Sequence, residues 1–253
     1  MSQSFRQADI LEIARAEGKV LVEDLAERFG VTVQTIRRDL TELAESGHLD
    51  RVHGGAVLRS GVSNIGYEDR RGLNEEAKTK IARACAREIP DGASVFLNIG
   101  TSTEAVAREL LRHNNLMVVT NNINVANILV ANANCEIIVA GGVLRRADGG
   151  LIGNLTTNTI EQFKFDYAVI GCSALDLEGD LLDFDFQEVN VSQTIIQQAR
   201  KTFLVADHSK FQRSAPARIA SLSRIHTFFT DLPLAPDLAS HCKEWDTRVV
   251  LCQ

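Results

Sequence analysis

Apolar residues near the N-terminus recur at helical spacing in three successive stretches. The first stretch carries Ile10, Ile13 and Ala14 on one face, the second covers 22–29, and the third covers 33–45. Each stretch keeps polar residues on the opposite side, which is typical of helices packed around one small core. The pattern therefore predicts three short helices.

A period-two alternation of apolar and polar residues follows over 48–58, around the pair Gly54-Gly55. Alternation about a glycine pair predicts a β-hairpin. Three helices and a hairpin within 1–58 match the plan of a winged helix-turn-helix, whose recognition helix enters the major groove of DNA. We therefore predict a DNA-binding domain over 1–58.

The third predicted helix carries amide and guanidinium groups on the face opposite its apolar stripe. Gln34 and Arg38 lie on this face, and Arg37 lies on its flank. Arginine can donate a pair of hydrogen bonds to guanine, and glutamine can pair with adenine. A solvated, salt-bridged helix in a protein-binding module would show a similar pattern. The candidate DNA contacts are Thr32, Gln34, Thr35, Arg37, Arg38, Arg51 and His53.

From position 94 onward, short continuous apolar runs alternate with helical patterns. The runs cover 94–99, 116–120, 136–140, 167–171, 203–206, 227–229 and 248–251. Continuous apolar strands that alternate with helices predict an α/β domain with a mostly parallel, doubly wound sheet. The segment 59–74 lacks apolar periodicity and is predicted to be a linker, so the second domain is predicted over 75–253.

Composition agrees with two water-soluble domains and removes other classes of protein. The chain has 253 residues, 45% of them hydrophobic. It has no apolar run of about 18 residues, so no membrane association is expected, and its N-terminus lacks an apolar signal segment. The five cysteines form no Cys-x-x-Cys pair, which argues against a zinc site or a disulfide framework and favours the reducing cytoplasm.

Overall charge does not favour a nucleic-acid partner. The net charge is −6, and the segment 1–58 contains seven Lys and Arg residues against ten Asp and Glu residues. A DNA-binding domain usually carries a clear excess of cations. Binding of DNA must therefore depend on where the few cations are placed.

The strongest chemical signal is the sequence Gly100-Thr101-Ser102, which lies between the apolar run 94–99 and a helical pattern. Backbone N–H groups at such a helix start point outward and the two hydroxyls add donors, so the loop can hold an anion, most simply phosphate. An ordinary turn with a capping hydroxyl is the alternative.

Lys78 lies in the first turn of another predicted helix, where the helix dipole disfavours a positive charge. Either a nearby anionic ligand or exposure of the side chain to solvent would explain a lysine at this position.

Polar or glycine-rich residues follow three other predicted strands. Asn121 and Asn122 follow the second strand, Gly141 and Gly142 follow the third, and the polar segment 207–210 follows a later one. Because the carboxyl ends of parallel strands meet at one edge of a sheet, the sequence predicts one shared ligand pocket.

Two blocks of the N-terminal domain resemble the signature of the DeoR family of transcription regulators. The first covers 31–40 and continues with Glu42 and Leu43, and the second covers 51–56. The resemblance extends over essentially the whole chain and implies a repressor that binds double-stranded operator DNA as a homo-oligomer, either a dimer or a tetramer. It also suggests that Asp39 orients a neighbouring arginine and does not touch DNA.

The resemblance implies that the second domain senses a phosphorylated metabolite and is related in fold to sugar-phosphate isomerases and deaminases. Two departures from the family pattern concern the pocket. Asn98 stands where the family usually has Asp, and 188–193 lacks the basic residues that usually follow the glutamate. The candidate ligand contacts are Lys78, Gly100, Thr101, Ser102, Asn121, Asn122, Gly141, Gly142, Arg145, Glu188 and Lys210.

Two further segments bear on the identity of the effector. The stretches 148–153 and 181–189 resemble the branch of the family that governs glycerol 3-phosphate metabolism, so glycerol 3-phosphate is the favoured effector. The altered residues after Glu188 could instead mark another sugar phosphate, which stays the alternative.

Two other classes of function compete with a regulator. A sugar-phosphate isomerase or deaminase would need a general base, for which Glu188 and Asp183 are candidates, but the sequence shows no Ser/His/Asp constellation or metal-ligand cluster. A dinucleotide-binding regulator would need Gly-x-Gly-x-x-Gly after the first strand, where only Gly100 is present. The prediction is therefore a regulator without catalytic activity or cofactor.

Overall fold

The computed structural model describes residues 3–17, 19–52, 54–58 and 66–253. The chain divides into two units between Leu73 and Asn74. His53, one of the candidate DNA contacts, lies outside the described residues. None of the described helices is both long enough and apolar enough to cross a membrane.

The N-terminal unit contains the three helices and the hairpin that the sequence pattern predicts. Its elements are α1 (Gln3–Glu17), β1 (Lys19–Leu21), α2 (Val22–Phe29), α3 (Val33–Glu45), β2 (Leu49–Val52), β3 (Gly55–Leu58) and α4 (Tyr67–Gly72). β1 pairs antiparallel with β3 and so extends the hairpin to a three-stranded sheet in the order β1-β3-β2. The sequence pattern predicts neither β1 nor α4, and α4 lies within the segment 59–74 that it assigns to a linker.

One apolar core joins the helices and the sheet of this unit. Ile10 of α1, Leu25 of α2, Ile36 and Leu40 of α3, and Leu49 of β2 are each at most 2% exposed and belong to one cluster. Burying such a side chain contributes about 1.5–3 kcal/mol relative to exposing it. The apolar stripes of the three helices therefore meet in a single interior.

The two glycines of the hairpin meet different requirements. Gly54 has a positive φ of 75°, with open space where a Cβ would lie. At Gly55, a Cβ would lie 1.9 Å from the carbonyl oxygen of Val20, because β3 passes so close to β1. Glycine therefore suits the backbone conformation at Gly54 and is required by space at Gly55.

A buried ion pair connects α1 to α3. Asp39 is 1% exposed and accepts hydrogen bonds from Nε of Arg6 at 2.5 Å and from Nη2 at 3.2 Å. The hydrogen bond to Asp39 raises the pKa of Arg6, although burial acts in the opposite direction. Asp39 is therefore bonded to an arginine, and that arginine belongs to α1 rather than to α3.

The C-terminal unit is built around a seven-stranded parallel sheet. Its first elements are α5 (Glu75–Arg87), β4 (Ser94–Leu97), α6 (Thr101–Glu109), β5 (Leu116–Thr120), α7 (Ile123–Leu129), β6 (Cys135–Val139), β7 (Val143–Arg145), β8 (Gly150–Ile152) and α8 (Asn154–Ile160). The remaining elements are β9 (Phe165–Ile170), β10 (Ala174–Leu175), β11 (Asp180–Asp183), α9 (Phe186–Gln198), β12 (Ala199–Val205), β13 (Ala217–Ser221), β14 (Thr227–Thr230), α10 (Pro236–Glu244) and β15 (Arg248–Leu251). Short 3-10 helices cover Leu110–Arg112, His208–Gln212 and Leu222–Arg224.

The order of strands in the main sheet reverses once. The sheet runs β15-β14-β12-β9-β4-β5-β6, and every neighbouring pair is parallel. The chain moves outward from β4 through β5 to β6, returns to β9 on the other side of β4, and continues outward in the opposite direction. Each strand corresponds to one of the seven apolar runs, so the predicted doubly wound sheet is confirmed. Ligands of such sheets bind where the reversal opens a crevice at the carboxyl ends of the strands.

Alternate residues of β4 face two separate cores. Val95 packs in the core that contains Ile81 of α5 and Val106 of α6, whereas Phe96 packs in the core that contains Val191 of α9. The sheet is therefore covered by helices on both faces. The sequence pattern does not predict two smaller antiparallel parts, the hairpin β7–β8 and the sheet β10-β11-β13.

Replacement of Asp39 by Ala should destabilise the N-terminal unit by about 3–5 kcal/mol, because Arg6 would then remain charged in the interior without its partner. The double variant Arg6→Met with Asp39→Leu should recover most of this stability, since it removes both buried charges at similar volume. Hydrogen exchange of the α3 amides in the full chain measures the free energy of opening. If Asp39→Ala had the same free energy of opening as the wild type, the ion pair would not stabilise the unit.

Candidate functional site

The outer face of α3 presents polar side chains to solvent. Gln34, Arg37 and Arg38 are exposed, and Thr35 is half-buried. Oγ1 of Thr32 accepts a hydrogen bond from the backbone N–H of Thr35 at 3.2 Å and so caps the helix. The cap fixes where α3 begins, and therefore which residues stand in its first turns.

Two arginines from different elements lie near each other beside this face. Arg51 of β2 is half-buried, and its buried Nη1 has no hydrogen-bond partner among the described residues. Burial lowers the pKa of Arg51, and the positive charge of nearby Arg37 lowers it further. Neighbouring cations create a local positive potential even in a chain with a net charge of −6. The placement of these two arginines therefore favours the binding of an anionic partner at this surface.

In the C-terminal unit, the loop between β4 and α6 ends on Gly100, whose φ of 135° favours glycine. The carbonyl oxygen of Gly100 accepts hydrogen bonds from Oγ1 of Thr103 at 2.7 Å and from the N–H of Glu104 at 3.0 Å. The N–H groups of 101–103 precede the first helical hydrogen bond and have no acceptor within α6. They can therefore bind an anion at the carboxyl end of β4.

A buried uncharged pair lies beside this loop, next to the reversal of the sheet. Nδ2 of Asn98 donates to Oγ of Ser192 at 2.9 Å, and Oδ1 of Asn98 accepts from the N–H of Ile99 at 2.7 Å. Asn98 and Ser192 are each 1% exposed. They belong to the two departures from the family pattern, so these departures contact each other directly. The bond connects α9 to β4 without placing a charge in the interior.

The two asparagines after β5 make different contacts. Asn122 caps α7 by accepting from the N–H of Asn124 at 2.8 Å, and its Nδ2 lies 3.4 Å from Oε1 of Glu104. Nδ2 of Asn121 donates to the carbonyl oxygen of Leu151 at 3.1 Å, whereas its buried Oδ1 has no hydrogen-bond partner in the described part of the chain. An unsatisfied buried acceptor costs about 1–3 kcal/mol. Asn121 therefore offers an acceptor that a ligand hydroxyl could satisfy.

The glycines that follow β6 are explained by packing against α8. Oγ1 of Thr156 donates to the carbonyl oxygen of Gly141 at 2.6 Å. At Gly142, whose φ is 144°, a Cβ would lie 2.1 Å from Oγ1 of Thr156 and 2.7 Å from the carbonyl oxygen of Ile152. Close approach accounts for glycine at 142, and a direct contact of either glycine with a ligand stays a prediction.

Arg145 of β7 binds three carboxylates at once. It donates to Asp148 at 2.6 and 2.9 Å, to Asp185 at 2.8 Å and to Glu188 at 2.6 Å. Three carboxyl groups thus surround one guanidinium, which leaves Arg145 little attraction for an anionic ligand. Burial and the charge of Asp183 raise the pKa of Glu188 to about 8, against the opposing effect of Arg145. The geometry gives Arg145 a positioning role toward Glu188.

Two lysines act on a buried carboxylate at the carboxyl end of β12. Lys78 is 5% exposed, so the solvent-facing interpretation of this residue is wrong. Burial alone would raise the pKa of Asp207, but the charge of Lys210, hydrogen bonds from Ser209 and Asn74, and the charge of Lys78 together lower it to about 2. Both ammonium groups therefore act on the same buried carboxylate at this end of the crevice.

The candidate ligand residues are therefore carried by the carboxyl ends of β4, β5, β6 and β12 and by the elements next to them. Sequence reasoning gave no place in the site to several polar residues whose partners in the fold are distant in the chain: Asn74, Glu104, Asn124 and Asp148. Within the described part of the chain, no group of three or more His, Cys, Asp and Glu residues could hold a metal ion. All five cysteines are free thiols.

Comparison with known proteins finds matches to both units. Residues 6–61 match the family model described as DeoR-like helix-turn-helix domain, and residues 73–232 match the one described as DeoR C terminal sensor domain. The glycerol-3-phosphate regulon repressor of Escherichia coli (strain K12) is 46% identical over 252 residues and covers 100% of both chains. The repressor of the same name from Haemophilus influenzae is 45% identical over 253 residues, covering 100% of this chain and 98% of its own.

Solved structures resemble the fold at low sequence identity. Translation initiation factor eIF-2B from Pyrococcus horikoshii OT3 has a TM-score of 0.51 at 12% identity, covering 90% of this chain and 82% of its own. Ribose 5 phosphate isomerase A from Neisseria gonorrhoeae has a TM-score of 0.40 at 11% identity, covering 55% and 54%. At such identities the similarity concerns the fold alone.

The raised pKa of Glu188 predicts that stability depends on pH. A carboxyl group whose pKa rises from 4.5 to about 8 on folding favours the folded state below pH 4.5, and this contribution is lost as the pH rises through 8. Glu188→Gln cannot ionise, so its stability relative to the wild type should increase between pH 5 and 8, by at most about 1.4 kcal/mol per pH unit.

Denaturant unfolding at several pH values measures this difference in the free energy of unfolding. Glu76→Gln is the matched control, because Glu76 is exposed and its hydrogen bond with Lys80 lowers its pKa, so it titrates below this range. Identical pH slopes for the wild type and Glu188→Gln would show that Glu188 does not titrate in this range.

Proposed function

Because this chain belongs to the DeoR family of transcription regulators, we propose that it is a repressor that binds operator DNA and is released by a phosphorylated metabolite. The observation that carries the proposal is 46% identity over the full length to a protein named as a repressor. The fold agrees with this function, since one unit exposes a polar helix face and the other forms a polar crevice. Such a regulator acts in the cytoplasm, where its DNA lies.

We propose that α3 enters the major groove of double-stranded DNA. Gln34, Arg37 and Arg38 are exposed on α3 and would face the base edges. Arg51 on the hairpin, which is half-buried, would meet a backbone phosphate. The remaining proposed contacts are Thr32, Thr35 and His53.

We propose glycerol 3-phosphate as the effector, which the names of the two curated relatives support. The N–H groups at the start of α6, together with Thr101 and Ser102, would bind the phosphate. Lys78 and Lys210 would supply positive charge, since both act on the carboxylate of Asp207 at the same edge of the sheet. A phosphate therefore finds both hydrogen-bond donors and cations here.

The hydroxyl groups of the effector would bind at the other side of the crevice. Within the residues that the structure describes, Oδ1 of Asn121 is an acceptor without a partner, and Glu188, with its pKa of about 8, offers a carboxyl group that can accept or donate. Arg145 would hold Glu188 in place. Asn122, Gly141 and Gly142 would shape the wall. Another sugar phosphate is the alternative, and the uncharged Asn98–Ser192 pair is where its specificity would differ.

We propose a two-fold homodimer as the minimal DNA-binding assembly, with a tetramer as the alternative. Two recognition helices must reach half-sites about 34 Å apart. A second copy would also cover exposed apolar side chains on and after β6, which is an edge strand of the main sheet. These side chains, between 42% and 69% exposed, are Val139, Val143, Leu144, Leu155 and Phe186.

Arg37→Ala and Arg38→Ala should each weaken operator binding by about 1–3 kcal/mol, or roughly 10–100-fold, because each removes a cation that faces DNA. Effector binding should be unchanged. Fluorescence anisotropy at fixed salt measures the affinity for a duplex selected by the wild type from a random-sequence pool. Arg108→Ala, an exposed arginine on α6, is the control. If Arg38→Ala bound the duplex like the wild type, the assignment of the recognition face would be wrong.

Thr101→Val should weaken binding of glycerol 3-phosphate about tenfold or more, because a hydroxyl that donates to a charged phosphate contributes about 1.5–3 kcal/mol. Calorimetry measures this against glycerol, inorganic phosphate, fructose 6-phosphate and deoxyribose 5-phosphate. Thr157→Val, in the first turn of α8, is the matched control. If a sugar phosphate bound more tightly than glycerol 3-phosphate, that sugar phosphate would be the effector and the regulator would serve another pathway. If no phosphate ester bound, the effector proposal would be contradicted.

A further inference from the structure

Two consecutive residues at the boundary between the units make contacts in different units. Leu73, the last residue of the N-terminal unit, packs against Val52 of β2 and Val57 of β3, which are 8% and 5% exposed. Asn74, the first residue of the C-terminal unit, precedes α5. A single peptide bond therefore joins Leu73, which contacts the hairpin of the winged helix, to Asn74, which precedes the first helix of the sensor.

Asn74 adopts an unusual conformation to make its contact. Its φ is 51°, in the left-handed region, and its side chain does not cap α5 although it occupies the capping position. Nδ2 of Asn74 instead donates to Oδ1 of Asp207 at 2.7 Å. Asparagine tolerates the left-handed region better than other non-glycine residues, but leaving the cap unused is unfavourable. The side chain thus gives up its capping bond for the bond to Asp207.

Asp207 is at the same time a member of the charged crevice. It is 1% exposed, and the ammonium groups of Lys210 and Lys78 act on its carboxylate, whose Oδ1 also accepts from the N–H of Ser209 at 3.1 Å. Lys78 is tied to the boundary as well, since its backbone N–H donates to the carbonyl oxygen of Asn74 at 3.0 Å. The groups proposed to meet the phosphate therefore act on the carboxylate that holds Asn74.

We propose that Asn74 is the positioning residue that couples the effector crevice to the DNA-binding unit, acting through its hydrogen bond to Asp207 and through the peptide bond to Leu73. This inference rests on the proposed function. A phosphate that attracts Lys210 and Lys78 takes positive charge away from Asp207, which then holds Asn74 differently. Any change in the backbone angles of Asn74 is passed to Leu73, and so to the contacts of Leu73 with the hairpin strands.

Asn74→Gly separates this role from a structural one. Glycine adopts the left-handed conformation freely, so the variant removes the side-chain hydrogen bond without straining the backbone. Asn115→Gly is the matched control, because Asn115 is exposed and has a similar φ of 55°. The readout is the ratio of operator dissociation constants with and without saturating glycerol 3-phosphate, measured on full-length protein with the selected duplex.

The wild type and Asn115→Gly should show a ratio of the two operator dissociation constants of roughly 5–150, the range typical of allosteric coupling. In Asn74→Gly the ratio should fall to about 1–2, while calorimetry shows glycerol 3-phosphate bound to the DNA-free protein with wild-type affinity. A merely structural role would change thermal stability and leave the ratio intact. A ratio in Asn74→Gly within twofold of the wild-type value would overturn the inference.

Leu73→Ala tests the same connection from the other unit, and it keeps the inference testable if Asn74→Gly does not fold. This variant loses packing on Val52 and Val57, so its ratio should also fall while effector binding is kept. Full coupling in Leu73→Ala would equally overturn the inference. If glycerol 3-phosphate and the other phosphate esters leave operator affinity of the wild type unchanged, the proposed function fails, whereas a responsive wild type with responsive variants refutes the coupling role alone.

Discussion

The reversal of strand order between β4 and β9 determines where the polar groups of the C-terminal unit meet. A parallel sheet sends the carboxyl ends of all its strands to one edge, and the reversal opens a crevice there. The start of α6, Asn121 and Lys210 are carried by three different strands and lie far apart in the chain. They belong to the same edge only because the strands that precede them run in the same direction.

The need to pair buried charges shapes both units. In the N-terminal unit, the pair of Arg6 with Asp39 holds α3 against α1. In the C-terminal unit, burial and the charge of Asp183 raise the pKa of Glu188 beside Arg145, whereas the charges of Lys210 and Lys78 help to lower the pKa of Asp207. The proposed effector would use this difference, with its phosphate near Asp207 and its hydroxyl groups near Glu188.

The fold could be predicted wherever the apolar pattern was continuous. Each strand of the main sheet overlaps one of the seven apolar runs, whereas β1 is only three residues long and α4 has no apolar stripe. The start of a helix after Gly100 could be predicted because the signal is continuous in the sequence, and the binding of an anion there stays a proposal. The bond between Asn74 and Asp207 could not, since 133 positions separate the two residues. Nor does the sequence reveal that Arg145 is surrounded by carboxylates contributed by elements that follow it.

The close passage of β3 over β1 has a consequence for how the winged helix can change during evolution. Gly54 has open space around it, so asparagine or aspartate, which tolerate left-handed backbone, can replace it at moderate cost. Gly55 faces the carbonyl oxygen of Val20, a backbone atom that no rotamer change can move away. Two neighbouring glycines of one turn are therefore under unequal constraint. The first can be substituted, whereas the second must stay glycine for as long as β1 remains part of the sheet.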